Sequence, residues 1–181
     1  DSLSPLLSIC PHVVISDNGS EDGCPDLAEQ LWPHSKVLKN GKNLGYGAAN
    51  NRALAEVSTP WSLLLNPDCE MTVQALESLM LLTELEKTPA VLAPQLVNRF
   101  GKNQVNYRWP TNLWLSKGPG AQGPVCVGFI CGAVMLISME KLIPFGFFDQ
   151  RFFLYYEDDD LCFRLFQANL EMVVYPDFKV I

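Results

Sequence analysis

Short apolar runs alternate with helical segments along this chain, and that alternation restricts the fold more than any other feature. The strand-like runs are "HVVIS" (12–16), "KVLK" (36–39), "WSLLL" (61–65), "AVLAP" (90–94), residues 131–138 and "EMVVYP" (171–176). They are rich in β-branched residues and bounded by turn formers. Between them the pattern predicts helices over 25–32, 48–56, 72–87 and 157–168. The clearest is 72–87, where Leu76, Leu79, Met80 and Leu85 keep helical spacing. Strands alternating with helices predict an α/β, Rossmann-like fold with a mostly parallel sheet flanked by helices. In such sheets ligands bind beyond the carboxyl ends of the strands. "DNGS", "NPD" and the acidic run "EDDD" fall there and are expected to share one rim.

A chain of 181 residues, 48% hydrophobic, is expected to form a single domain with its own core. A net charge of −7 argues against nucleic acid as a partner. The six cysteines form no CxxC pair, and with two histidines a structural zinc site is not expected; the thiols read as free and buried. The longest apolar run, residues 125–138, is short of the roughly 20 residues of a membrane helix and reads as a buried strand with its approach. Residues 99–124 carry no periodicity and read as one long functional loop.

Three clusters carry chemistry. "LLLNPD" delivers Asn66 and Asp68 to a strand exit, an oxygen pair suited to a hard divalent cation that also touches phosphates, or else a plain Asn-Pro-Asp turn. "SDNGS" places Asp17 where it can accept from a base or ribose, with backbone donors from Asn18 to Ser20, or else is a strand-to-helix turn. "EDDD" sets Glu157, Asp158, Asp159 and Asp160 side by side. Asp160 stands four residues before Arg164, an ordinary helical ion pair. Acids in a first turn also suit the helix dipole. Beside Phe153, Tyr155 and Tyr156, a carboxylate of this run is equally suited to act as a general base. "NLGYGAANN" imitates a dinucleotide fingerprint through Gly45 and Gly47, with Asp68 further on, which keeps an oxidoreductase in view. No GxSxG, P-loop, HExxH or Cys–His pairing is present.

In order and spacing, "VVISDNGSEDG", "NLGYGAANNRAL", "LLLNPDCEMT", "GAVMLIS" and "FGFFDQRFFLYYEDDDLCFR" resemble family 2 glycosyltransferases of the GT-A fold, in particular a rhamnosyltransferase-like subgroup. The resemblance covers roughly residues 10 to 181. It implies inverting transfer of a sugar such as rhamnose from a nucleotide-sugar (dTDP-, UDP- or GDP-linked) to a glycan or lipid-linked acceptor. By that resemblance Asp17, Asn18, Ser20, Asn43, Gly45, Asn66 and Asp68 bind the donor. Asn66 and Asp68 hold Mg²⁺ or Mn²⁺, Asp158 is the general base, and Glu157 positions acceptor or base. Arg164 is structural. The location implied is cytoplasmic, peripheral at the inner membrane face. Acceptor choice is expected from the 99–124 loop and the region near Gly128. Three departures from the family pattern stand out. Residues 2–9 match only the end of the family's first helix, so its opening strand is expected to be absent. The first metal position carries Asn66. Neither His12 nor His34 matches the family's metal-binding histidine. A non-catalytic remnant that binds nucleotide-sugar or a partner chain is the alternative.

Overall fold

Among the described residues strands and helices alternate from residue 14 to residue 96, after which four short strands follow before the next helix. The computed structural model describes residues 6, 9–10, 12–86, 88–109 and 121–181. The order is β1 (Val14–Asp17), α1 (Cys24–Leu31), β2 (Lys36–Lys39), α2 (Tyr46–Leu54), β3 (Trp61–Leu65), α3 (Val73–Leu85) and β4 (Val91–Leu96). Then come β5 (Tyr107–Arg108), β6 (Val125–Cys126), β7 (Phe129–Ile130), β8 (Val134–Ser138), α4 (Met139–Leu142), α5 (Glu157–Gln167) and β9 (Met172–Val180). Helix α3 starts where expected because the Thr72 hydroxyl accepts the Ala75 N–H at 3.1 Å, a side-chain N-cap.

Side-chain parity sorts the core onto two faces of the larger sheet. In β4, Val91 and Ala93 join one buried cluster and Leu92 the other. In β8, Met135 and Ile137 face the first while Val134 and Leu136 face the second. Strand β9 splits likewise, Met172 and Val174 against Val173 and Tyr175. The first face is covered by Leu161, Cys162 and Leu165 of α5, the second by Leu76 and Leu79 of α3. Such period-two division requires a helix on each side. Burying a leucine-sized side chain contributes about 1.5–3 kcal/mol.

The sheet departs from the sequence expectation in one respect. Strands β3, β4 and β9 run the same way, and β1 and β2 pair in parallel, but the ladders of the larger sheet are mixed. Its order is β3-β8-β4-β9-β6, with β8 antiparallel between β3 and β4, and β6 antiparallel to β9. A strand buried on both faces reads as a continuous apolar run and carries no signal of direction. Strands β1 and β2 form a separate two-stranded sheet, tied to α2 by the Ser16 hydroxyl donating to the Ala49 carbonyl at 2.9 Å. The first strand among the described residues is Val14–Asp17.

The described part of the 99–124 loop is mostly irregular, as expected, but it carries two anchors: β5 pairs antiparallel with β7, and Val97 bridges Asn103. Residues 110–120 lie outside the described residues. All six cysteines are free, but only Cys69 and Cys162 are buried, while Cys24 and Cys126 are exposed. Among the described residues no helix is long and apolar enough to cross a membrane.

Candidate active site

The loop after β1 and the loop after β2 are stitched together by side-chain amides. Asn18 Nδ2 donates to Asn43 Oδ1 at 2.9 Å and to the Gly45 carbonyl at 3.2 Å, while its Oδ1 accepts the Leu44 N–H at 3.0 Å. Asn43 Oδ1 also accepts the Gly45 N–H at 2.9 Å. Asn18 and Asn43 thus shape this loop pair directly. The backbone donors expected of the "DNGS" turn face inward: Gly19 and Ser20 N–H groups donate to the Asp17 carboxylate at 3.2 Å. The Ser20 hydroxyl and these amides hold the Asp17 carboxyl below the usual carboxylate range. Asp17 is therefore ionised and fixed, with lone pairs left for a further donor.

The two glycines of the apparent dinucleotide fingerprint serve packing. Gly45 has φ +86°, and a Cβ on it would lie 2.2 Å from the Phe153 carbonyl oxygen. A Cβ on Gly47 would lie 2.8 Å from that of Phe148. These glycines let α2 sit against the 148–157 segment. That accounts for them without a pyrophosphate, so the oxidoreductase reading loses its support.

The acidic run divides into four environments within one helical turn. Asp160 accepts from Arg164 Nε at 2.8 Å, the ion pair expected from spacing. Arg164 also donates to the carbonyls of Phe145 (2.8 Å), Gly146 (3.3 Å) and Phe147 (2.5 Å), so it latches the preceding turn onto α5. Asp159 pairs with Arg108 of β5. Asp158, half-buried, accepts the Gly132 N–H on Oδ2 at 3.0 Å and the Asp159 N–H on Oδ1 at 2.9 Å. Glu157 is only 6% exposed, and its Oε2 has no hydrogen-bond partner.

Burial, reinforced by the charges of Asp158 and Asp159, pushes the Glu157 carboxyl above its ordinary range. For a carboxyl raised on folding, the unfolded state ionises first. Stability is then lost as pH climbs from the unfolded value, about 4.3, through the folded one. Glu157→Gln removes this slope. The difference in Tm between variant and wild type is expected to favour the variant more at pH 8 than at pH 4. Thermal unfolding at the two pH values checks it; an equal difference at both dismisses the buried-acid account.

Residues 132 and 133 join the Asp158 side to the strand-exit side. The Tyr46 hydroxyl donates to the Gly132 carbonyl at 2.5 Å, and the Tyr46 N–H donates to the Phe153 carbonyl at 3.3 Å. The Asn66 N–H donates to the Ala133 carbonyl at 2.9 Å. Asn43 and Gly45, Asn66, and Asp158 are thereby connected through two adjacent residues. Tyr46 and Gly132 are connectors that the sequence reading passed over; the partners lie 86 positions apart, and only the tyrosine inside "NLGYG" hinted at a polar tip.

Asp68, exposed, opens on a cleft of about 630 Å³ lined by Asp68, Glu70, Asn98, Arg99, Phe100, Gln104 and Ile181. Asp17, Asn43 and Asp158 do not line this cleft. Among the described residues no three His, Cys, Asp or Glu side chains are grouped to hold a metal.

The profile of "Glycosyl transferase family 2" matches residues 11–143. The chain belongs to glycosyl transferase family 2. It is 28% identical, over 93% of its own length, to the N-acetylglucosaminyl-diphospho-decaprenol L-rhamnosyltransferase of Mycobacterium tuberculosis, and covers 65% of that protein. It is 25% identical, again over 93% of its length, to a low-salt glycan biosynthesis hexosyltransferase of Haloferax volcanii, covering 57% of it. The chain thus spans less than two thirds of either relative. Among solved structures, Staphylococcus aureus TarS superposes over 99% of this chain and 32% of its own, with TM-score 0.74 and 16% identity. GalNAc-T7, crystallised with UDP, GalNAc and Mn²⁺, superposes over 93% of this chain and 36% of its own, with TM-score 0.69 and 16% identity. A mannosyltransferase of Pyrobaculum calidifontis, crystallised with GDP-Man and Mn²⁺, gives TM-score 0.64 at 13% identity, over 93% of this chain and 46% of its own. The fold of this family 2 chain is accordingly GT-A.

Proposed function

We propose that this chain is the catalytic part of an inverting, metal-assisted glycosyltransferase, transferring a hexose such as rhamnose to a glycan or lipid-linked acceptor in glycan assembly. The nucleotide lies against Asp17 and the Asn43–Gly45 loop. The diphosphate lies toward Asn66 and Asp68. The observation that carries this reading is the hydrogen-bonded chain through residues 132 and 133. It fastens the backbone of Asn66, the donor loop through Tyr46, and the Asp158 carboxylate to one short segment.

The acceptor hydroxyl attacks the anomeric carbon on the face opposite the diphosphate, and its proton passes to Asp158. One displacement with one base inverts the configuration. Asp158 is suited to this because two backbone amides orient it. Glu157, buried behind it, helps set its position.

One carboxylate and one amide oxygen do not make a resident cation cage. They fit a cation that takes its other ligands from phosphates and water, as Mg²⁺ and Mn²⁺ do. Such an ion neutralises charge on the leaving diphosphate. The M. tuberculosis relative is named for a lipid-linked acceptor, and that acceptor class, met at the inner face of a membrane, is carried into this reading.

Isothermal titration with UDP, GDP and dTDP tests the donor side. One of the three is expected to bind with Mn²⁺ present and about tenfold or more weakly without it, while Mn²⁺ alone binds feebly. No binding by any of them in the presence of Mn²⁺ overturns the reading.

A further inference from the structure

The base cannot be understood apart from the cation nearest its helix. Arg108 reaches Asp159 from β5, with a side chain only 12% exposed. Its guanidinium carbon lies 3.8 Å from the centre of the Phe129 ring. Phe129 is its antiparallel partner across β5–β7, and Gly128 N–H donates to the Arg108 carbonyl at 2.9 Å. Beyond β7 the chain runs through Cys131 to Gly132, whose N–H holds Asp158 Oδ2. Arg108 therefore grips both the helical turn that carries Asp158 and the strand that leads into the segment orienting it.

The groups that face Asp158 can be named. Glu157 and Asp159 share its turn; Cys162 lies on the same helix, Tyr46 on α2 and Cys131 in the segment before β8. Burial pushes the Tyr46 hydroxyl and the Cys131 and Cys162 thiols upward, Cys162 to about 12, so these three stay neutral. Glu157 is raised as well. Asp159 is the neighbouring acid matched by a cation, and Arg164 is committed to Asp160 and to three carbonyls.

We propose that Arg108 is a positioning residue for glycosyl transfer: it pairs with Asp159 and clamps β7 to the first turn of α5, so that the Asp158 carboxylate keeps one orientation against the Gly132 amide. This rests on the reading of Asp158 as the base. It also gives the described end of the 99–124 segment a role that composition did not show: the segment leads out of the strand that holds the base in place.

The Gly132 amide proton reports on Asp158 without any substrate. In the full chain, its ¹H–¹⁵N resonance should follow the ionisation of Asp158, and Asp158→Asn should abolish that inflection. Arg108→Met keeps an apolar stem on Phe129 and removes the charge. It should move the inflection to higher pH by about half a unit or more, since an uncompensated Asp159 disfavours a second anion. Adding Asp159→Asn to Arg108→Met should restore the wild-type value, and Arg108→Lys should stay close to it. Asp159→Asn alone should move the inflection to lower pH, a test that stands even where Arg108→Met fails to fold. The acid limb of the rate profile should follow the same order. An unmoved inflection in Arg108→Met or in Asp159→Asn overturns the role of Arg108, as does an inflection that survives Asp158→Asn. Normal turnover by Asp158→Asn instead sinks the base reading alone.

Discussion

Asp158→Asn is expected to lower turnover by about 10²–10⁴-fold, the usual worth of a positioned general base. The amide is isosteric and still accepts through one oxygen, so the Gly132 and Asp159 N–H groups do not both lose their partner. Affinity for the nucleoside diphosphate should stay within about twofold, because the proposed role of Asp158 is toward the acceptor proton and not the diphosphate. The combination matters. Loss of both binding and turnover would mean a structural residue, and a variant that turns over normally would return the proton to some other group. Transfer assays with the donor identified by calorimetry, paired with titration of the same variant, make the distinction.

Asp68→Ala carries the second large effect. Of the oxygen pair proposed to meet the cation at the exit of β3, Asp68 carries the carboxylate, and it is exposed in the cleft lined with Asn98, Arg99, Phe100 and Ile181. Loss of partners that merely support a ligand typically costs 10–100-fold in metal affinity. Removal of this ligand should therefore weaken Mn²⁺-dependent diphosphate binding by about 100-fold or more, about 2.7 kcal/mol. The Mn²⁺-independent part should remain. Titrations with and without Mn²⁺ read the two parts separately. Undiminished Mn²⁺ dependence in Asp68→Ala would remove the residue from the metal site.

Much of this was legible because local rules decide it. Strand β2 and strand β3 coincide with the runs "KVLK" and "WSLLL", and α3 begins at its Thr72 cap. The Asp160–Arg164 pair follows from spacing on one helix face. What escaped lies in pairings between distant positions. The run 125–138 is apolar throughout, so nothing in it announces that it breaks into β6, β7 and β8 or that β8 inserts antiparallel. Arg108 and Asp159 are 51 positions apart, and Arg108 stands in a stretch without periodicity. The glycines of "NLGYG" were visible, but their reason is steric contact with Phe153 and Phe148, which only the fold supplies.

The abutment of Gly45 on the Phe153 carbonyl has a consequence for how such a chain can diversify. No L-residue with a side chain fits there without prising the two segments apart, since the backbone is left-handed and the space is filled by main chain rather than by a yielding side chain. Under the proposed reading, retuning for a different nucleobase would have to come from substitutions flanking that spot, at exposed positions such as Lys42, while the point of contact is sterically held, a fixed fulcrum around which donor preference could drift.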